Sequence, residues 1–284
     1  MTVALETPST GAATTVSGLL TTAYRQLAEV CEALTVRVAD PTAPFTRTGL
    51  SGAELTKDHG ALDAYLLAEH SRIRTRYDHT PRPDVAASRA LHDYAWSVGL
   101  LMSGVWYLTG RVPRVRPEDV RIDLASGMFE ISPGPDLACL PEDPASTLPG
   151  ALTVPHEEAL RAELRVAVAD HMEPLLSAIA PHVRRGPRAL WGLVTDDLVS
   201  GIWYLGRMLG REPDAVRAAT ALLPSAVAPF PGGADFRHLT GSDGRQHPTR
   251  TRMGCCLYYT IRPAEACATC PRTGDAERLR RIEG

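Results

Sequence analysis

Four cysteines stand within sixteen residues near the C-terminus: Cys255 beside Cys256, ten intervening residues, then Cys267-Ala-Thr-Cys270. Thiolates repel one another at this density, so a reduced protein keeps four together chiefly when a metal centre neutralises them. Three arrangements compete. Structural zinc usually takes two Cys-x2-Cys knuckles, and only Cys267 and Cys270 form one. Adjacent cysteines send their sulfurs in divergent directions, which suits a binuclear [2Fe-2S] cluster with two ligand pairs better than a single tetrahedral ion. Disulfides need an oxidising compartment, and the opening MTVALETPSTGAATTVSG has neither a basic n-region nor a continuous apolar h-region. Spacing therefore favours the cluster and leaves zinc and disulfides open. Cys31, in a helical pattern, is expected as a small buried hydrophobe. Neither it nor Cys139 is taken as a ligand.

The surroundings of the four cysteines are basic. From Asp243 onward eight arginines face five acids, in a chain whose formal net charge is -3 and whose only lysine is Lys57. Such a balanced total gives no compositional support to nucleic-acid binding. No phosphate loop, dinucleotide fingerprint or nucleophile elbow appears. A one-electron centre without a nicotinamide or flavin site needs a donor protein, for which a ferredoxin or flavodoxin is the natural candidate. Arg250, Arg252, Arg262 and Arg272 are expected to steer that acidic donor or to tune the cluster, a solvated charged face being the plainer alternative. The nine histidines show no metal spacing, and His70, His79, His92 and His182 are expected at the surface or as caps. The Asp196-Asp197 doublet is expected to have one acid exposed and the other capping or paired.

Helical periodicity predicts helices over about 17–38, 62–77, 85–109, 156–179 and 188–209, with a short one opened by Pro213. Val120–Leu124 and Met128–Ile131 alternate around a Gly-containing turn and predict a β-hairpin. The proline-rich stretch 132–155 reads as a surface loop, and residues 1–16 as disordered. No apolar run reaches the roughly 18 residues that span a bilayer. Pro229-Phe-Pro-Gly-Gly233 marks a boundary, giving a disordered 1–16, a helical domain 17–228 and a cluster-binding segment 229–284. Arg89-Ala-Leu with Ser103-Gly-Val-Trp106-Tyr-Leu recurs as Arg188-Ala-Leu with Ser200-Gly-Ile-Trp203-Tyr-Leu, which suggests a duplicated helical unit about a pseudo-twofold. Trp106 and Trp203 are candidate substrate contacts, with core packing the default for such aromatics. The fold class is thus mainly α with a minor β-hairpin, followed by a small C-terminal iron–sulfur segment.

The segment Arg252-Met-Gly-Cys255-Cys256-Leu257-Tyr258-Tyr259, with Cys267-Ala-Thr-Cys270, resembles the C-terminal motif of the FhuF-like ferric-siderophore reductases. Those proteins share the Cys-Cys-x10-Cys-x2-Cys pattern, an Arg shortly before the pair, and a Leu and Tyr soon after it. The helical region ahead resembles the family's layout in outline. The resemblance implies that Cys255, Cys256, Cys267 and Cys270 ligate a [2Fe-2S] cluster. It also implies one-electron reduction of a ferric siderophore and release of Fe(II) in the cytoplasm, in solution or peripherally at the inner face of the membrane. Siderophores hold Fe(III) with hard oxygen donors, and reduction weakens that hold. The alternatives are a non-enzymatic [2Fe-2S] relay or sensor, a zinc-stabilised helical binding protein, and a siderophore-synthetase relative that has lost synthesis.

Overall fold

The computed structural model describes residues 14–39 and 49–283. The chain is mainly helical, with 57% of the described residues in helices, and carries small sheets of two to four strands. The expectation for residues 1–16 lies outside the described residues except at its end, where Thr15 caps the first helix through a hydrogen bond from the Gly18 N–H.

Helix α1 (Val16–Val30) buries Leu20, Ala23, Tyr24 and Leu27 at three- and four-residue spacing. It stops well short of residue 38. Cys31 caps it, a tight turn closes with Leu34 N–H bonding Cys31 C=O, and Val36–Val38 forms strand β1. The β-branched Thr35, Val36 and Val38 suit a strand, and helical periodicity alone did not register that change.

After the short β2 (Leu50–Ser51), Ser51 opens α2 (Gly52–Lys57) with a capping box to Glu54. Helices α3 (His59–Tyr77) and α4 (Pro83–Thr109) follow close to the expected bounds. Beyond β3 (Val112–Pro113), the predicted hairpin is present as β4 (Val120–Ile122) against β5 (Phe129–Ile131), with Gly127 at φ +76° in the turn. Together with β2 and a parallel β1 they make one sheet in the order β1-β5-β4-β2. The stretch expected as a loop instead contributes β6 (Leu137–Cys139) and β7 (Ala151–Thr153), which join β3 in a second sheet. These strands are only three residues long and fall between prolines, below the reach of pattern reading.

Helices α5 (Glu157–Val183), α6 (Pro187–Met208) and α7 (Glu212–Leu222) complete the helical layer. Helices α4 and α6 run close together at the centre of the core. A Cβ on Gly201 would stand 3.0 Å from Leu100 Cγ, so any larger residue there would have to push the Leu100 side chain aside. The repeated motifs fall on comparable elements. Helices α3 and α5 both end in a residue with left-handed backbone, Asp78 and Arg184, and the helix after each begins with proline. A twofold relation between the units remains a proposal.

Within the expected boundary 229–233, Phe230 is buried edge-on to Trp191 at 5.7 Å. The antiparallel hairpin β8 (Phe236–Thr240) and β9 (Gln246–Arg250) leads to the four cysteines, and α8 (Asp275–Glu283) follows them. Among the described residues no helix is long and apolar enough to cross a membrane.

Candidate metal centre and adjoining cavity

The cysteine segment is built onto α6 through buried charge. Asp196 and Asp197, with Arg250 between β9 and the helix, are wholly buried, and Arg252 is nearly so. Arg250 donates through Nη2 to Asp196 Oδ1 (2.8 Å), through Nη1 to the Asp196 carbonyl (2.9 Å) and Ser200 Oγ (3.0 Å), and through Nε to the Ala234 carbonyl (3.2 Å). Arg252 donates through Nη2 to Asp197 Oδ1 (3.0 Å), and the Gly254 N–H donates to Asp196 Oδ2 (2.7 Å). Gly254 lies so close to α6 that a Cβ there would meet the Leu193 backbone at 3.3 Å. Burial pushes the Asp196 carboxyl up, while the guanidiniums of Arg250 and Arg252 hold it down.

This arrangement corrects two expectations. Neither acid of the Asp196-Asp197 doublet is exposed, because each neutralises an arginine from the segment that carries the cysteines. His92 is neither a surface residue nor a cap, since its Nδ1 donates to Asp197 Oδ1 at 2.7 Å. Burial by itself lowers the affinity of His92 for a proton, but Asp197 outweighs it and the net direction is upward.

Past Gly254 the chain turns sharply. Leu257 has left-handed backbone (φ +63°), and the backbone N–H groups of Leu257 and Tyr258 act to lower the Cys255 and Cys256 thiols respectively. The knuckle closes with Cys270 N–H to Cys267 C=O at 2.9 Å. Arg185 and Arg278 hold the carbonyls of Cys255 (2.7 Å) and Cys270 (2.9 Å). All six cysteines are free thiols.

Cys256 and Cys267 act on each other's protonation, and Cys255 and Cys270 lie near enough to add their charge. Cys256 is pushed down, first by the Cys267 thiol beside it and then, against burial, by His92 and Arg89. Cys267 is pushed up by Cys256 in turn, and Cys255 is raised by burial. Arg89, which pairs with Asp93 at 2.7 Å, lies near enough to Cys256 for the two charges to act on each other. Arg252 Nε and Arg278 Nε and Nη1 are buried and make no hydrogen bond among the described residues, although Arg252 Nε and Arg278 Nη1 stand 3.6 Å from carboxylate oxygens of Asp196 and Asp275. Four cysteines on one short segment, with the arginines Arg89 and Arg252 acting on Cys256 and Cys267, suit a negatively charged tetrathiolate centre.

A cavity of about 550 Å³ adjoins this centre. Its walls include Trp96 and His92 from α4, Trp203 and Arg207 from α6, and Ala268 and Thr269 from between two of the cysteines. The two candidate tryptophans thus separate. Trp203 lines the cavity, its indole N–H donating to Glu212 Oε1 at 2.7 Å, while Trp106 is buried in the core away from it. Trp96, edge-on to Tyr204 at 5.8 Å, is the second tryptophan of the wall. The four candidate arginines separate as well. Arg250 and Arg252 are inside the protein and cannot touch a docking partner, whereas Arg262 and Arg272 are exposed, Arg272 lying 4.5 Å from the Tyr259 ring centroid.

Sequence reasoning missed Arg89, His92, Arg185 and Arg278. The one signal that pointed toward the buried network was the acidic doublet inside the apolar stretch Leu193–Ser200, since unpaired charge is rarely tolerated there.

Free cysteines on a segment whose Cys255 and Cys270 carbonyls are held by Arg185 and Arg278 are compatible with an iron–sulfur type of site. Residues 252–272 match the family model of the FhuF 2Fe-2S C-terminal domain, and all four cysteines fall in that span. The chain therefore carries an FhuF-type C-terminal segment whose cofactor is a [2Fe-2S] cluster, in keeping with an iron-dependent redox role. No curated protein matches the chain.

Proposed function

We propose that the protein is a ferric-siderophore reductase in which Cys255, Cys256, Cys267 and Cys270 hold the [2Fe-2S] cluster and the adjoining cavity receives the ferric chelate. When bound, the cluster supplies one electron at a time, drawn from a ferredoxin or flavodoxin in the cytoplasm and delivered to Fe(III), which leaves as Fe(II). The observation that carries this reading is that Ala268 and Thr269, between two ligand cysteines, form part of the cavity wall.

The protein's own groups divide the remaining work. Trp96, Trp203 and Tyr204 offer flat apolar faces on which a chelate can rest, and the cavity volume falls in the range of small-molecule sites. Arg89 and Arg252 place positive charge beside Cys256 and Cys267, which favours the more negative, reduced form of a tetrathiolate centre. The N–H groups of Leu257 and Tyr258 act in the same direction. Arg262 and Arg272 are the exposed candidates for meeting an acidic donor. Reduction to Fe(II) weakens the grip of hydroxamate, carboxylate or catecholate oxygens, so release needs no dedicated acid or base. In domain terms, residues 17–228 would form the substrate-binding body and 229–284 the cluster-binding segment.

The test is single turnover. Protein purified without oxygen should contain iron and acid-labile sulfide at roughly two each per chain. After reduction by dithionite and removal of excess, mixing with a ferric siderophore and an Fe(II)-trapping dye should restore the visible absorption as Fe(II) appears in equal amount. A reduced protein that stays bleached in the presence of several ferric chelates would reject the reading. Stoichiometric zinc without sulfide would do so as well.

A further inference from the structure

The cavity beside the cysteines carries more positive charge than its walls neutralise. Four guanidiniums line it, those of Arg72, Arg76, Arg207 and Arg252, against one carboxylate, Asp93. Asp93 is already paired with Arg89, Arg72 with Glu69, and Arg252 with Asp197. Arg76 and Arg207 make no ion pair among the described residues, and both are exposed. Each instead lies beside an aromatic ring, Arg76 at 5.4 Å from Tyr77 and Arg207 at 5.9 Å from Trp203. Arg89 and Arg252 stand between the negative cysteine centre and the cavity, so the two unpaired guanidiniums at its rim, Arg76 and Arg207, are left to meet an incoming anion.

We infer that the site selects ferric chelates of net negative charge, such as those with carboxylate donors, over neutral or cationic hydroxamate chelates, and that Arg76 and Arg207 set this preference. The inference rests on the reductase reading above and adds the charge class of the substrate. Arginine suits the role because its planar fork can bond a carboxylate through two N–H groups while its face rests on an aromatic ring. Both side chains are exposed, so replacing them leaves the buried core and the cysteine segment intact.

Gallium(III) chelates mimic the charge and shape of ferric ones and cannot be reduced, so they read binding apart from electron transfer. The experiment is calorimetric titration of the cluster-loaded protein with gallium citrate, which is anionic, and with gallium desferrioxamine B, which keeps a free ammonium group. Gallium citrate should bind more tightly. The double variant Arg76→Gln/Arg207→Gln should weaken it about tenfold, as expected for two partly screened charges, and should flatten its salt dependence. Binding of desferrioxamine B should be unchanged or improved.

Equal affinity for the two gallium chelates in the unaltered protein would overturn the inference, as would equal weakening of both in the variant. Tight binding of citrate alone would overturn it too, by making the site a carboxylate site with no need of the metal. The two readings fail separately. If ferric chelates of either charge are reduced equally well, only the charge preference falls. If gallium citrate binds as described but no ferric chelate is reduced, the anion site stands and the reductase reading falls.

Discussion

Asp196→Asn changes one buried charge and almost no volume. In the native protein Asp196 accepts from Arg250 Nη2 and from the Gly254 N–H on separate oxygens, and stands 3.6 Å from Arg252 Nε. Asparagine has one acceptor oxygen, so it can serve Arg250 or Gly254 but not both, and it leaves two buried guanidiniums facing the single carboxylate of Asp197. Removing one partner from a buried pair costs about 3–5 kcal/mol, a large share of the roughly 5–15 kcal/mol that stabilises a typical domain. Urea denaturation of the cluster-loaded protein, followed by helical circular dichroism, should show a loss of that size. The second variant is Asp196→Asn/Arg250→Met, which removes the stranded charge and should recover part of the loss, giving a coupling energy well above 1 kcal/mol in the double-mutant cycle. Glu265→Gln, at the exposed pair with Arg262, is the control and should leave stability unchanged. If Asp196→Asn costs under about 1 kcal/mol, or if its effect simply adds to that of Arg250→Met, the buried network does not fasten the cysteine segment to α6.

Three further outcomes are expected. Cys267→Ser or Cys270→Ser should lose or severely destabilise the cluster, seen as loss of visible absorption and sulfide, while circular dichroism keeps most of its helical signal because the core of α1, α4, α5 and α6 contains none of these residues. Arg262→Gln/Arg272→Gln should slow reduction by a ferredoxin and flatten its salt dependence in stopped-flow mixing; unchanged kinetics would place the donor contact elsewhere. Glu69, buried and near Asp93, is pushed up to about 7 from an ordinary 4.5, Arg72 offsetting only part of the shift. Its raised value means that the folded state prefers the protonated acid, so its penalty is absent below about pH 4.5, grows through pH 7 and is constant above. The stability difference between Glu69→Gln and the native protein should therefore shift in favour of glutamine by about 2–3 kcal/mol from pH 5 to pH 8, and a difference flat with pH would exclude that ionisation.

The metal motif was legible because its signal is local, four thiols at fixed spacing, and the long helices because their apolar period persists over many turns. What could not be read was anything created by distant pairing. Asp196 and Asp197 looked like an ordinary polar doublet, since their partners Arg250 and Arg252 lie more than fifty residues away in the chain. The two tryptophans looked equivalent because the sequence repeats around them, yet only Trp203 reaches the cavity, and Trp96, outside the repeated motif, joins it. Strand β1 was absorbed into α1 because Val36 and Val38 continue an apolar spacing compatible with either element.

The cysteine loop is fastened at both of its ends. On one side Arg250, Arg252 and Gly254 are tied to α6, and on the other Arg278 of α8 grips the Cys270 carbonyl while Arg237 of β8 pairs bidentately with Asp275. A tether at each end limits how far the loop can spread before iron arrives. The entropy of bringing together chain ends separated by about sixteen residues, on the order of 2 kcal/mol, is spent during folding of the protein and not during cofactor loading. Maturation should then resemble filling a prepared seat, with apoprotein that survives iron starvation and regains its cluster quickly once iron and sulfide return.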